Sequence, residues 1–511
     1  MTLSLAMVLA ESARLHRERI ALVQGDQQLT YPELWERAQR HAAALRDLGV
    51  REGDRVAIVA PNVISFAESY YGVLAAGGVV VPIPLLLVPD EAEYLISHAK
   101  AKLVLCHVSQ LELGAPAAQA AGIELLTLGP ATPEHRSLTE IAAGTEPLPR
   151  FVTRAPDDPA VVFYTSGTTG RPKGAVLTHL NLVMNATVSA FDVDKIEPGE
   201  SMLGCLPLFH IFGQSSALNA CFRAGAKLVL QPRFDAEEAL SIMREHDIAI
   251  FQGVPTMYLR LLEITEGRDD LPQLRGCVSG GAPLPVSVLE AFEARFGTEI
   301  LEGYGLSETS PTATVNQPVF GVKPGSVGHP IWGVEVEIAD PGNDEEIVFL
   351  PVGDQGEIVI RGHNVFAGYL DNPEATAAAV IDGWFRTGDI GAKDEEGFIS
   401  IVDRKKDLII RSGFNVYPRE VEEMLMRHPA VSEVSVIGLP DERSGEEVCA
   451  VLVLRPGQSV AEEEVVAWCR ERLGSHKYPR RVVVVDELPL GPSHKVLKRE
   501  LRDWVVQGKV K

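Results

Sequence analysis

Eleven residues, Tyr164-Thr-Ser-Gly-Thr-Thr-Gly-Arg-Pro-Lys-Gly174, carry the strongest chemical signal in this chain. Their glycines let a backbone approach a ligand closely, and the hydroxyls of Thr165, Ser166, Thr168 and Thr169 add hydrogen bonds. Lys173 adds a fixed positive charge. A loop of that kind suits a polyphosphate. It is not a Walker A loop, which needs Gly-x-x-x-x-Gly-Lys-Ser/Thr, and no Gly-x-Gly-x-x-Gly follows a strand pattern. Local composition alone would also fit a solvated turn, so the rest of the chain must decide. The apolar run Ala160-Val-Val-Phe163 just before the loop predicts a buried strand from which it leaves.

Further segments follow in order. They are Leu206-Pro-Leu-Phe-His210-Ile-Phe-Gly, Ser279-Gly-Gly-Ala-Pro283, Leu301-Glu-Gly-Tyr-Gly-Leu-Ser-Glu308-Thr and Thr387-Gly-Asp389. Asp403-Arg404-Lys-Lys406-Asp, Arg411-Ser-Gly-Phe-Asn-Val-Tyr-Pro418 and Pro489-Leu-Gly-Pro-Ser-His-Lys495-Val-Leu-Lys-Arg-Glu-Leu501 complete the set. With the Gly/Thr loop, their joint order and spacing resemble the acyl-adenylate-forming (AMP-binding) superfamily over nearly the whole chain. Within it, the motifs resemble the acyl-CoA synthetase branch, fatty-acid and 4-coumarate CoA ligases about equally.

The resemblance implies ATP, Mg2+ and coenzyme A as cofactors and a small-molecule carboxylic acid as substrate. A carboxylate would attack the α-phosphorus of ATP and expel pyrophosphate, so charge on the transferring group must be stabilised and the reactants held in line. It assigns Lys495 to the α-phosphate and the attacking carboxylate, as a point charge. Thr165, Ser166, Gly167, Thr168, Thr169 and Lys173 would hold the outer phosphates. Glu308 with Thr165 would hold magnesium, which takes few protein oxygens beside phosphate and water. Gly280, Gly281 and Ala282 on one side, and Glu302, Gly303, Tyr304, Gly305 and Ser307 on the other, would enclose the adenine, with Tyr304 stacked on it. Asp389 would take the ribose hydroxyls beside Arg404, and His210 would gate the acyl pocket. For the thioester step the small domain would rotate about Lys406, bringing Ser412, Gly413 and Phe414 to the pantetheine chain.

The chain departs from the family pattern where His494 stands in place of the usual glycine before the catalytic lysine. The intact Lys495-Val-Leu-Lys-Arg-Glu-Leu run predicts that His494 is harmless and that His494→Gly changes turnover only a few-fold. The gate segment, Phe209-His-Ile-Phe-Gly-Gln-Ser-Ser216, lacks the acid that amino-acid-binding members usually carry. An uncharged acyl group is therefore expected, a fatty acid first, in a small apolar pocket lined by Ile211, Phe212, Gln214, Gly281, Gly305 and residues 311–314. Rival readings are transfer of the adenylate to a carrier protein or other acceptor, a luciferase-like oxygenase, and a catalytically silent nucleotide-binding relative. No Gly-x-Ser-x-Gly elbow supports a serine hydrolase.

These residues need a scaffold of layered sheets. Thr30 and Pro32 open a helix whose apolar residues recur until Gly49. Apolar runs at 55–60, 78–82, 102–106, 226–230, 249–252 and 274–278 alternate with helical segments, which predicts α/β layers with a mainly parallel sheet. After about residue 325 the strands become short, alternating and Gly-punctuated, as in a small β-rich subdomain over 325–403. The expected division is a large N-terminal domain, 1–403, and a small mobile α+β domain, 404–511.

At 511 residues with 46% hydrophobic and 23% charged residues, the chain reads as a multidomain globular protein. Its net charge of −23 argues against nucleic acid as a partner. Of 47 Lys/Arg and 70 Asp/Glu residues, 404–511 hold 19 and 17, so the acidic excess lies in the large domain. A polyanion must therefore be held by local donors and single cations. The six scattered cysteines form no metal-binding pattern and read as buried thiols of a cytoplasmic protein. Residues 1–10 make a poor signal peptide, and no apolar run is long enough for a membrane span. A homodimer is a compatible assembly.

Overall fold

The computed structural model describes residues 2–165, 171–412, 414–441, 443–490 and 496–510, without the side chain of Asn415. Its first layer is a seven-stranded sheet in the order Gly368–Tyr369, Lys173–Thr178, Pro159–Thr165, Val79–Pro82, Arg55–Val59, Leu103–His107, Leu125–Leu128. The five strands from Pro159–Thr165 onward run parallel. The strand Arg55–Val59 shows why its sequence is continuously apolar. Val56 and Ile58 enter one core while Ala57 and Val59 enter another on the opposite face. Both faces of a parallel sheet are covered, so neither side can be polar.

The predicted helix after Leu29 spans Tyr31–Asp47. Thr30 caps it in a reciprocal capping box with Glu33, and Leu34, Ala38, Ala42 and Leu45 are buried. A second, nine-stranded sheet carries the parallel strands Ser201–Gly204, Ile248–Gly253, Gly276–Ser279 and Ile300–Gly305 side by side or nearly so. Their carboxyl ends open on one side, the usual position for a ligand in such sheets.

A five-stranded antiparallel sheet follows, built from Val334–Ala339, Gln355–Gly362, Trp384–Lys393, Val380–Ile381 and Ile399–Arg404. This is the β-rich region expected after residue 325. Arg404 is still paired with Asp389 in that sheet, and the chain turns away only at 405–407. The remaining residues form a separate five-stranded sheet with the helices Pro418–Leu425, Glu462–Arg470 and Lys498–Val506.

Periodicity did not disclose two segments, Ser189–Val193 and Phe212–Asn219, which are π-helical. Such turns are rare and concentrate at functional sites. All six cysteines are buried and free. Among the described residues no helix is long and apolar enough to cross a membrane.

Candidate active site

Thr165 ends one strand of a hairpin and Lys173 begins the other, so the two residues face each other across the base of the Gly/Thr loop. Ser166, Gly167, Thr168 and Thr169, expected on the phosphates, lie outside the described residues. Thr165 donates its hydroxyl to Glu308 Oε1 at 3.3 Å. Tyr369, which the sequence reading missed, donates to the same oxygen at 2.9 Å. The Lys173 ammonium lies 5.1 Å from the centre of the Tyr369 ring. Burial, and then the neighbouring Glu308 charge, hold the Tyr369 phenol well above its ordinary pKa, so it remains a donor. Tyr369 belongs to a two-residue strand paired with Lys173–Thr178, a position too short for any periodic signal.

Glu308 is buried on a short helical turn at Ser307–Thr309. The side chains that hydrogen-bond to it, among the described residues, are the Thr165 and Tyr369 hydroxyls. Among the described residues no group of three or more His, Cys, Asp or Glu is arranged to cage a metal. A magnesium ion held mainly by phosphate and water fits such a sparse set. A structural zinc site does not.

A second constellation surrounds Asp389. Tyr304 donates its hydroxyl to Oδ2 at 2.7 Å, and Arg404 Nε lies 3.0 Å from Oδ1. The Asp389 charge, above all, raises the Arg404 pKa. Gly388 adopts φ +72°, the left-handed region, and turns the chain so that Asp389 meets both partners. Tyr304 lies at the end of Ile300–Gly305. A Cβ at Gly305 would collide with the Pro311 carbonyl oxygen, so only glycine permits that approach.

Beside Tyr304 lies a cleft that is partly open to solvent. His210, Gly280, Gly281, Gly303, Tyr304, Gly305 and Ser307 all border it, which brings together the segments expected to form the gate and the adenine site. His210 Nδ1 accepts the Phe212 N–H at 3.3 Å. Glu302 is placed otherwise. Its buried carboxylate accepts the Leu284 N–H at 3.2 Å and faces Arg419 of the small domain at 4.0 Å, and burial pushes its pKa up to about 7. Ala282 lies in the turn after Gly276–Ser279 and does not border the cleft.

The pocket expected for the acyl group differs from expectation in three respects, the first being that Ala313 and Thr314 are fully buried and do not border the cleft. Gln214 turns into the protein, where its amide donates to the Leu208 carbonyl at 3.1 Å, because the π-helical winding redirects that side chain. The wall is also not wholly apolar. Asp194, outside the gate segment, borders the cleft with Gln252, Ser189, Ser216 and Ser279. Burial raises the Asp194 carboxyl to about 7 despite the nearby Arg275 charge.

Lys406 is exposed in the turn after Arg404. Ser412 donates its N–H to the Ser444 carbonyl at 2.7 Å, and Phe414 is 57% exposed with its ring beside His476. Gly413, His494 and Lys495 lie outside the described residues. The small domain meets the large one through Arg419, which donates its backbone N–H to Asp403 Oδ2 at 3.0 Å and its guanidinium to the Ile401 carbonyl at 2.7 Å.

Residues 9–370 match the AMP-binding enzyme family and residues 420–495 match the AMP-binding enzyme C-terminal domain. A long-chain-fatty-acid–CoA ligase of Bacillus subtilis (strain 168) is 36% identical over 98% of this chain and 94% of its own length. A feruloyl-CoA synthase of an Amycolatopsis species is 37% identical over 96% of each. The crystal structure of ATP-bound MatB from Rhodopseudomonas palustris superposes with a TM-score of 0.89 at 35% identity, covering 98% of this chain and 99% of that one. The paired Glu308 and Asp389 constellations thus stand in a chain that belongs, through both its large and its small domain, to the AMP-binding enzyme family.

Proposed function

We propose that this chain converts a carboxylic acid and ATP to an acyl-adenylate and pyrophosphate, then passes the acyl group to the coenzyme A thiol, releasing AMP. In the first step a carboxylate oxygen bonds to the α-phosphorus as the bond to pyrophosphate breaks. In the second, the thiol sulfur replaces AMP at the acyl carbon and loses its proton.

The observation that carries this reading is the pair of polar constellations centred on Glu308 and on Asp389, the second of which reaches the cleft through Tyr304. Thr165, Tyr369 and Glu308, with Lys173 beside them, form a phosphate and magnesium end. Tyr304, Asp389 and Arg404 form a ribose end. When bound, magnesium would neutralise phosphate charge, held through Glu308 and Thr165. Lys173 would add charge to the outer phosphates. Asp389, already fixed at both carboxylate oxygens, would accept the ribose hydroxyls without further ordering. Lys495 would stabilise the charge that develops at the α-phosphate, and the turn around Lys406 would serve as the pivot for the thioester step.

The acid is proposed to be uncharged in its acyl part, because Val193, Phe212, Val278 and Val315 give the cleft apolar wall beside its polar groups. A fatty-acyl or arylpropenoyl chain meets that requirement, in keeping with the activities named for the relatives above. The test is pyrophosphate and AMP release over acids from acetate to palmitate, with coumarate and benzoate, with and without coenzyme A. A CoA-stimulated rate that peaks within the panel is expected. Release that ignores CoA would instead favour a carrier-protein or oxygenase acceptor.

A further inference from the structure

The deeper wall of the cleft holds polar groups that nothing in the preceding mechanism uses. Asp194 closes the π-helical segment Ser189–Val193, and Gln252 lies near the carboxyl end of Ile248–Gly253. Gln252 Nε2 donates to Asp194 Oδ2 at 2.8 Å. The other amide atom, Gln252 Oε1, is buried with no hydrogen-bond partner among the described residues. The same holds for Ser216 Oγ and Ser279 Oγ. Gln252, Ser216 and Ser279 are 1%, 3% and 0% exposed, and all three border the cleft with Asp194.

Buried polar atoms are normally paired, because water that they lose must be replaced. Three unpaired side-chain atoms around one cleft, beside a buried carboxyl group, are therefore unlike a wall meant only for alkyl chain. Building them into a purely apolar pocket would weaken the enzyme without improving recognition. The surroundings of Asp194 do not make it a simple structural ion pair either. Arg275 donates to the Asp194 backbone carbonyl at 3.0 Å, while its guanidinium is paired with Glu200.

We infer that Asp194, Gln252, Ser216 and Ser279 form a specificity site for a hydroxyl group carried by the acyl part of the acid. The inference rests on the acid-activating reading above and narrows its substrate class. A hydroxyl is favoured over other polar groups because it both donates and accepts. It satisfies Gln252 whichever way the amide is turned, and it can bond either serine. A keto oxygen accepts only, and cannot pair with the amide oxygen. An ammonium donates only, and would require the buried Asp194 carboxyl to ionise.

The experiment compares matched acids on the full-length chain by CoA-dependent AMP formation. The pairs are octanoate against its terminal hydroxy form, and phenylpropanoate against its para-hydroxy form. The site predicts a kcat/KM preference of about 10-fold or more for the hydroxy member of at least one pair. Gln252→Leu and Asp194→Asn should bring that ratio close to parity, and Ser216→Ala, which changes the packing least, should reduce it. Parity or a preference for the unsubstituted acid in both wild-type pairs overturns the inference. So does an equal loss on both members of a pair in the variants, which is the behaviour of residues that only hold the fold. A stronger preference for the matching amino acid derivative also overturns it. Absence of CoA-dependent AMP formation with every acid contradicts the acid-activating reading itself, a result distinct from activity without hydroxyl preference.

Discussion

The Tyr304 hydroxyl donates to Asp389 Oδ2 at 2.7 Å, joining the nine-stranded sheet to the five-stranded one at a single carboxylate. Arg404, on the next strand, holds the other oxygen. Two sheets and the last strand before the small domain therefore fix the geometry of one acid.

Removing that acid should damage nucleotide binding more than acid binding. Asp389→Ala takes the shared carboxylate from the half-buried Tyr304 phenol and the half-buried Arg404 guanidinium, and removes the acceptor proposed for the ribose. The KM for ATP is expected to rise about 10-fold or more, with a fall in Tm, since two groups lose a charged hydrogen-bond partner. Titrating ATP at saturating acid checks this. An unchanged KM for ATP would remove Asp389 from the nucleotide site.

Glu308 is oriented by two hydroxyls, so loss of one should loosen rather than abolish metal binding. Tyr369→Phe deletes a 2.9 Å hydrogen bond to a charged acceptor, and such bonds contribute about 1.5–3 kcal/mol. The magnesium concentration at half-maximal rate should rise several-fold while the KM of the acid stays nearly constant. A shift in the acid KM alone would place Tyr369 in the acyl pocket instead.

Much of this arrangement was legible in the sequence, for stated physical reasons. The Thr30 cap, the apolar strands and the Gly-punctuated subdomain follow from local rules, and the elements lie within a few residues of expectation. The company of Asp389 and Arg404 was expected from the family resemblance alone, and the structure pairs the two across neighbouring strands of one antiparallel ladder. Tyr369, Asp194 and Gln252 were not. Each owes its position to contacts across 58 or 61 residues, as in the Gln252–Asp194 and Tyr369–Glu308 bonds, and no local period encodes such distances. The same limit explains the inward turn of Gln214, since π-helical winding has no compositional signature in this segment.

Acid–base linkage offers an independent check on Asp194. Its carboxyl is raised to about 7 by burial, against an ordinary 3.8. Below about pH 4 both folded and unfolded chains hold the proton, and the group has no net effect on stability. As pH rises from about 4 to 7, the unfolded chain has released the proton and the folded chain has not, so stability falls. Asp194→Asn removes that loss. The Tm difference, variant minus wild type, should therefore grow across this range and level off above about pH 7. A difference that is flat, or that shrinks with pH, would contradict the burial of an acid there.

The turn after Arg404 offers a test of domain motion. Lys406→Pro fixes φ and removes a backbone N–H at the proposed pivot, without touching the nucleotide constellation. Adenylate formation should stay within a few-fold of wild type while thioester formation drops at least 10-fold. Equal loss in both half-reactions would count against a pivot at this position.

The most direct test of the central claim separates the two half-reactions in Lys495→Ala. Pyrophosphate release from ATP and acid reports adenylation, and acyl-CoA formation from preformed acyl-adenylate reports the second step. Loss of a point charge aimed at the transition state should lower the first rate by about 100-fold or more and leave the second largely intact. Adenylation at wild-type rates in the variant would contradict the account of how this chain activates its acid.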